Sequence, residues 1–147
     1  MQPGPAQILV VEDNDDDLEM TLYALAVHRV SNGIQVARDG VEALDFLFRR
    51  GEFSDRAIED VPRIVLLDLQ LPRIDGIEVL RQIKADPSTR RIPVVMLTSS
   101  REERDIVESY DLGVNSYIVK PVDFEQFTRT VGELGVYWTV RNESPGR

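Results

Sequence analysis

Three short runs of apolar β-formers, each ending in an oxygen-bearing side chain, constrain this chain more than any other feature. They are Ile8-Leu9-Val10-Val11-Glu12-Asp13, Ile64-Val65-Leu66-Leu67-Asp68 and Val94-Val95-Met96-Leu97-Thr98. A fourth, Ser116-Tyr117-Ile118-Val119, leads into Lys120-Pro121. The runs are continuous rather than alternating, which is the pattern of strands buried on both faces of a parallel sheet. Laid side by side and parallel, they bring three carboxylates, a hydroxyl and an ammonium to one rim.

Helical periodicity fills the gaps between these runs. Asn14-Asp15-Asp16-Asp17 offers a cap and early-turn acids, and Leu18, Leu22, Leu25 and Ala26 then recur at helical spacing to about Arg29. Ser31-Asn32-Gly33 closes that helix, and Ile34 to Ala37 reads as a short strand. Asp39 caps a second helix with Val41, Leu44, Leu47 and Phe48 facing inward, ended by Gly51. The connection Glu52 to Arg63 is expected to be a surface loop tacked down by Phe53 and Ile58. A third helix carries Ile77, Leu80 and Ile83 and stops at Asp86-Pro87. A polar fourth runs from about Arg101 to Leu112, stopped by Gly113. The last is expected from near Asp123 to about Arg141, with Asn142 to Arg147 a frayed tail. Strands separated by helices imply right-handed βαβ crossovers and a doubly wound α/β fold.

The 147 residues read as one domain, 1–147, with its core at about 7–141 and short flexible termini. Neither a repeat nor a linker marks an internal boundary. A hydrophobic share of 42% argues for a folded chain despite a net charge of -9, and that acidity disfavours nucleic-acid partners. The absence of cysteine removes disulfides and thiolate metal sites. No apolar run approaches the roughly 18 residues of a membrane span, and the opening Met1-Gln2-Pro3-Gly4-Pro5 lacks a secretory pattern. A cytoplasmic protein is expected.

In open parallel sheets the functional crevice lies beyond the carboxyl ends of the strands, where the polar residues named above all fall. If the strand order is 2-1-3-4-5, one of two common doubly wound orders, the first and third strands are neighbours. Their terminal carboxylates then crowd together and repel unless a cation intervenes. All-oxygen donors favour a hard cation such as Mg²⁺, which takes one or two carboxylates, waters and a phosphate. Under such neutralisation Asp68 can act as a nucleophile toward a phosphoryl group, giving an acyl phosphate.

Val10-Val11-Glu12-Asp13-Asn14, Ala37-Arg38-Asp39-Gly40-Val41-Glu42-Ala43-Leu44, Leu67-Asp68-Leu69-Gln70-Leu71-Pro72-Arg73-Ile74-Asp75-Gly76, Met96-Leu97-Thr98-Ser99 and Tyr117-Ile118-Val119-Lys120-Pro121 follow in order along the chain. Together they resemble receiver domains of two-component response regulators, from about Ile8 to the final helix. The resemblance implies a flavodoxin-like five-stranded parallel sheet, order 2-1-3-4-5, and Mg²⁺-dependent phosphorylation by a sensor histidine kinase, Mn²⁺ being an alternative ion. By position it implies Asp68 as phosphoacceptor, Asp13 as a direct metal ligand, Glu12 as a ligand through water, and the Gln70 backbone carbonyl as another. It further implies that Thr98 hydrogen-bonds the phosphoryl group, that Lys120 pairs with it, and that the peptide before Pro121 is cis. Tyr117 fits an aromatic switch that follows Thr98. The long loop before the third strand, Leu71-Pro72-Arg73 and the extended final helix are similar to single-domain regulators paired with bacterial phytochromes.

The implied function is that of a stand-alone, non-enzymatic phosphoacceptor whose output passes through protein contacts or onward phosphotransfer in a phosphorelay. An aspartyl-nucleophile phosphohydrolase is the rival, but it needs an acid two residues beyond the nucleophile, where this chain has Gln70. Asp15, Asp16 and Asp17 read as helix-capping charge and His28 as structural. Phe124, Phe127, Val131, Leu134 and Trp138 form the core stripe of the last helix; Val136, Tyr137 and Val140 fall on another side, which implies a homodimer through this region.

Overall fold

Successive residues of each central strand point to opposite faces of one sheet, and both faces are buried. The computed structural model of the protein describes residues 7–27, 33–58 and 60–136. Its order is β1 (Ile8–Val11), α1 (Asp15–Val27), β2 (Ile34–Ala37), α2 (Gly40–Leu47), a 3-10 turn (Gly51–Phe53), β3 (Ile64–Asp68), α3 (Gly76–Ala85), β4 (Val94–Thr98), α4 (Arg101–Ser109), β5 (Ser116–Val119) and α5 (Phe124–Leu134). The five strands are all parallel, in the order β2-β1-β3-β4-β5. That is the flavodoxin-like order expected from the sequence.

Leu9, Val11, Val65, Leu67, Val94 and Met96 face α2 and α3, where Ala43, Leu44, Val79, Leu80 and Ile83 complete a buried cluster. Ile8, Val10, Ile64, Leu66, Val95 and Leu97 face the other way, onto Ala24 and Leu25 of α1 and Phe127 and Val131 of α5. Each fully buried Leu, Ile or Val contributes about 1.5–3 kcal/mol, so the apolar runs supply the driving force of the fold. Helix α4 contributes only Val107 as a buried side chain, which makes it the most weakly anchored helix.

Helix starts follow their caps. Asp39, Asp75 and Asp123 accept from the N–H groups of Glu42, Glu78 and Gln126, and Ser100 accepts from that of Glu103. At α5, Val122 before the cap and Phe127 after it lie in the same cluster, a hydrophobic staple that fixes the entry angle.

Several boundaries differ from the sequence reading. Helix α5 ends at Leu134, because Gly135 takes a left-handed conformation (φ 67) that caps it. The continuation to Arg141, with Tyr137, Trp138 and Val140, lies outside the described residues, as does His28. Val136 packs against the α1/α5 cluster rather than on a separate face. Phe124, at the first turn of α5, is 44% exposed, and Val122 fills the core position instead. Helix α4 stops at Ser109, where Asp111 (φ 51) turns the chain before Gly113 is reached. On α1 the buried positions include Thr21 and Ala24, while Ala26 is exposed.

The loop before β3 is pinned by a different residue than expected. Phe53 packs edge-on to Phe46 at 5.2 Å, but Ile58 is exposed. The anchoring falls to Arg56, whose guanidinium lies 3.7 Å from the Phe46 ring centroid and donates to the carbonyls of Phe46 and Asp60.

Candidate functional site

Register brings the polar residues together. Val11 pairs with Leu67 and Thr98 with Val119, so β1, β3, β4 and β5 end at one level of the sheet. Glu12 and Asp13 step off β1 there, Asp68 closes β3, Thr98 closes β4 and Lys120 follows β5. Carboxylate oxygens of Glu12, Asp13 and Asp68 lie within 4.8 Å of one another. Glu12 and Asp68 are buried and Asp13 is exposed, giving the cluster a closed side and an open one. The Lys120–Pro121 peptide is cis.

Lys120 lies over this cluster. Its Nζ donates to Glu12 Oε1 at 3.3 Å and forms an ion pair with Asp68 Oδ1 at 3.1 Å. Burial and the neighbouring Asp68 carboxylate push the Glu12 carboxyl up to about 7, against the pull of Lys120 and the Asn14 N–H. Burial also raises Asp68, opposed by Lys120. For Lys120 burial acts downward, but the carboxylates of Asp17, Asp68 and Glu12 outweigh it and hold the ammonium above its ordinary range. The rim is thus an electrostatically incomplete site: buried carboxylates repel each other, and one ammonium does not neutralise them. An all-oxygen donor set of this kind fits a hard divalent cation.

Two buried hydroxyls on the same side have no hydrogen-bond partner, Thr98 Oγ1 and Tyr117 OH. An unpaired buried hydroxyl is costly, so each is poised for a partner that arrives or for a movement that supplies one. The Tyr117 ring already packs against the α2/α3 cluster, with the Arg104 guanidinium 4.8 Å from its centroid. Gln70 is exposed, and its amide faces Glu103 Oε2 at 3.5 Å. With Asp13, Leu69, Leu71, Pro72, Asp75, Ile77 and Ile106 it lines an open cleft of about 590 Å³ beside the carboxylates.

Two residues belong to this neighbourhood that sequence reasoning assigned to capping or passed over. Asp17, in the first turn of α1, accepts from Lys120 Nζ at 2.7 Å. Arg38, just beyond β2, donates to the backbone carbonyls of Glu12 and Asp13 and to the Asp15 carboxylate. The available signal was positional, since α1 and β2 both meet the rim on which Glu12 and Asp13 stand.

A doubly wound parallel sheet with an acidic, lysine-capped rim is the build of a receiver. The chain belongs to the response regulator receiver domain family, whose model matches residues 8–132. It is 45% identical over 142 residues to a probable methanogenesis regulatory protein, FilR2, of Methanothrix harundinacea, covering 97% of this chain and 89% of that one. The bacteriophytochrome response regulator RtBRR superposes with a TM-score of 0.86 at 52% identity, covering 97% of this chain and 86% of that one. The Mn²⁺-bound form of response regulator Rcp1, a Synechocystis protein, has a TM-score of 0.71 at 36% identity, covering 96% and 99%. Receiver domains are signalling proteins that bind divalent metal, and the acidic cluster fits that property. No helix among the described residues is long and apolar enough to cross a membrane.

Proposed function

We propose that this chain is a cytoplasmic phosphoacceptor that takes a phosphoryl group onto Asp68 from a sensor histidine kinase in a Mg²⁺-dependent reaction. The observation that carries the reading is the Lys120 ammonium held 3.1 Å from Asp68 Oδ1 inside a crowded carboxylate cluster. Glu12, Asp13, Asp68 and the Gln70 carbonyl would hold the ion, with Mn²⁺ able to substitute. The bound cation supplies positive charge to the phosphoryl oxygens and relieves the carboxylate repulsion.

The chain's own residues do the rest. An Asp68 oxygen forms the new P–O bond as the P–N bond to the kinase histidine breaks, and the imidazole leaves with the bonding pair. Lys120 stays protonated and pairs with a phosphoryl oxygen, while the unpaired Thr98 hydroxyl donates to another. As Thr98 moves inward, Tyr117 follows, and the weakly anchored α4 shifts with it. Gln70 in place of an acid two residues beyond Asp68 leaves no general acid for sustained phosphoester hydrolysis, which favours signalling over a phosphohydrolase.

Likeness to bacteriophytochrome response regulators supports a phytochrome-type kinase as the donor. Self-association through the region after α5 belongs to the same reading and rests on Tyr137 and Val140. Sedimentation velocity with and without phosphorylation tests it, and a monomer in both states at high concentration removes it. The function is tested by incubating wild type and Asp68→Asn with acetyl phosphate and Mg²⁺ and measuring intact mass. A phosphate adduct on wild type alone is expected. Its absence where a control receiver reacts overturns the reading.

A further inference from the structure

We propose that Asp17 is a positioning residue for phosphoryl transfer, fixing the Lys120 ammonium over Asp68. The inference rests on the function proposed above and extends it to a residue outside the carboxylate cluster. Lysine carries its charge on a flexible four-carbon stem, so a catalytic lysine needs something to hold its head still. Here Nζ donates to Asp17 Oδ2 at 2.7 Å and to Glu12 Oε1 at 3.3 Å. With two of its three N–H groups committed, the third is left for Asp68 Oδ1 at 3.1 Å. The three acceptors come from three segments: the end of β1, the first turn of α1 and the end of β3.

The Asp17 contact is the shortest of the three. Asp17 is itself fixed, because its N–H donates to Asn14 Oδ1 at 2.8 Å, the cap of α1. When an Asp68 oxygen is phosphorylated, the N–H that faced it meets a phosphoryl oxygen, and the Asp17 and Glu12 bonds keep the ammonium aimed there. The arrangement supplies the transition-state charge already oriented.

A plain helix-capping role predicts something different. Asp16 is exposed in the same first turn and supplies the same charge to the helix N-terminus, while the lysine bonds to Asp17 and Glu12 instead. Asp16→Ala is therefore the control for helix stability. The chain has only two lysines, Lys84 and Lys120, so protein labelled with ¹⁵N-lysine gives at most two side-chain ammonium signals.

Asp17→Ala, Asp17→Asn and Asp16→Ala are compared with wild type in the rate of acetyl-phosphate-driven adduct formation with Mg²⁺, each shown folded by thermal melting. Asp17→Ala is expected to slow the reaction about tenfold, the loss of one charge-assisted hydrogen bond to the lysine. Asp17→Asn, which keeps an acceptor oxygen, recovers most of the rate, and Asp16→Ala reacts like wild type. The Lys120 ammonium signal, sharpened by immobilisation, broadens in Asp17→Ala and persists in Asp16→Ala. A wild type that forms the adduct alongside an Asp17→Ala variant of equal rate overturns the inference and leaves the function standing. A wild type that forms none overturns both.

Discussion

Arg38 Nη2 donates to the backbone carbonyl of Asp13 at 2.9 Å, and its Nε donates to that of Glu12 at 3.1 Å. One guanidinium from the end of β2 thus grips both peptide groups that carry the acidic pair. The same side chain reaches Asp15 at the start of α1, closing the loop on three sides.

Removing this grip loosens the acidic loop without touching the carboxylates of Glu12, Asp13 or Asp68, though it also frees Asp15. Arg38→Ala is expected to weaken Mn²⁺ binding about tenfold, the usual effect of losing a support behind a metal ligand. Because Arg38 is half exposed, global stability changes by less than about 1 kcal/mol. Calorimetric titration beside a urea melt separates the two effects. Unchanged affinity would mean that the loop keeps its shape unaided.

Gly76 opens α3 directly behind Asp68. A Cβ there would sit 2.8 Å from Leu69 Cα and closer still to the Asp68 carbonyl oxygen. Backbone cannot yield as a flexible side chain does, so Gly76→Ala is expected to destabilise by about 2–4 kcal/mol. Gly132 is the contrast, within α5 with nothing within 4 Å of its added Cβ. Gly132→Ala is expected to stabilise by about 0.5–1 kcal/mol. Urea denaturation of the pair checks both signs.

Thr98 presents opposite requirements in two states. In the unmodified protein its hydroxyl is buried without a partner. Thr98→Val, nearly isosteric, is expected to raise stability by about 1 kcal/mol by deleting that unsatisfied group. The same variant loses the proposed donor to the phosphoryl group, so its adduct is expected to accumulate less from acetyl phosphate. A Thr98→Val variant less stable than wild type would point to an unseen partner for the hydroxyl.

What the sequence made legible follows from what each signal depends on. The runs at β1, β3 and β4 are buried on both faces, so composition alone marked them, and their polar ends marked the rim. Caps such as Asp39 and Asp123 act locally and were readable for the same reason. Helix ends were less so. Arg49 (φ 55) and Asp111 (φ 51) adopt left-handed backbone where glycine was expected to do that work. Arg56 took the anchoring role expected of Ile58 because a cation over Phe46 is a tertiary arrangement that no periodicity records. Asp17 and Arg38 escaped for a related reason. Their importance lies in what stands opposite them, and an aspartate in a first helical turn already has a sufficient local explanation.

The raised carboxyl of Glu12 makes a metal-free stability curve slope in an unusual direction. Burial and the Asp68 charge lift it from 4.5 to about 7, and burial lifts Asp68 in the same sense. Between these values the folded protein holds a proton that the unfolded chain has released. Glu12 therefore adds stability below pH 4.5 and loses it as the pH rises through about 7. Three other acids work the opposite way but titrate lower, below their ordinary range. Asp86 is held there by hydrogen bonds from Ser88, Glu78 by Gln82 and Arg81, and Asp123 by the Gln126 N–H. Lys120, held high by its partners, titrates above the window. In EDTA, the melting temperature is expected to fall by at least about 3 °C between pH 5.5 and pH 8, corresponding to roughly 1 kcal/mol for a domain of this size. Saturating Mg²⁺ neutralises the cluster and should flatten the curve, while Glu12→Gln should flatten it without metal. Equal melting temperatures for wild type at both pH values in EDTA would show that the cluster is relieved by some other route.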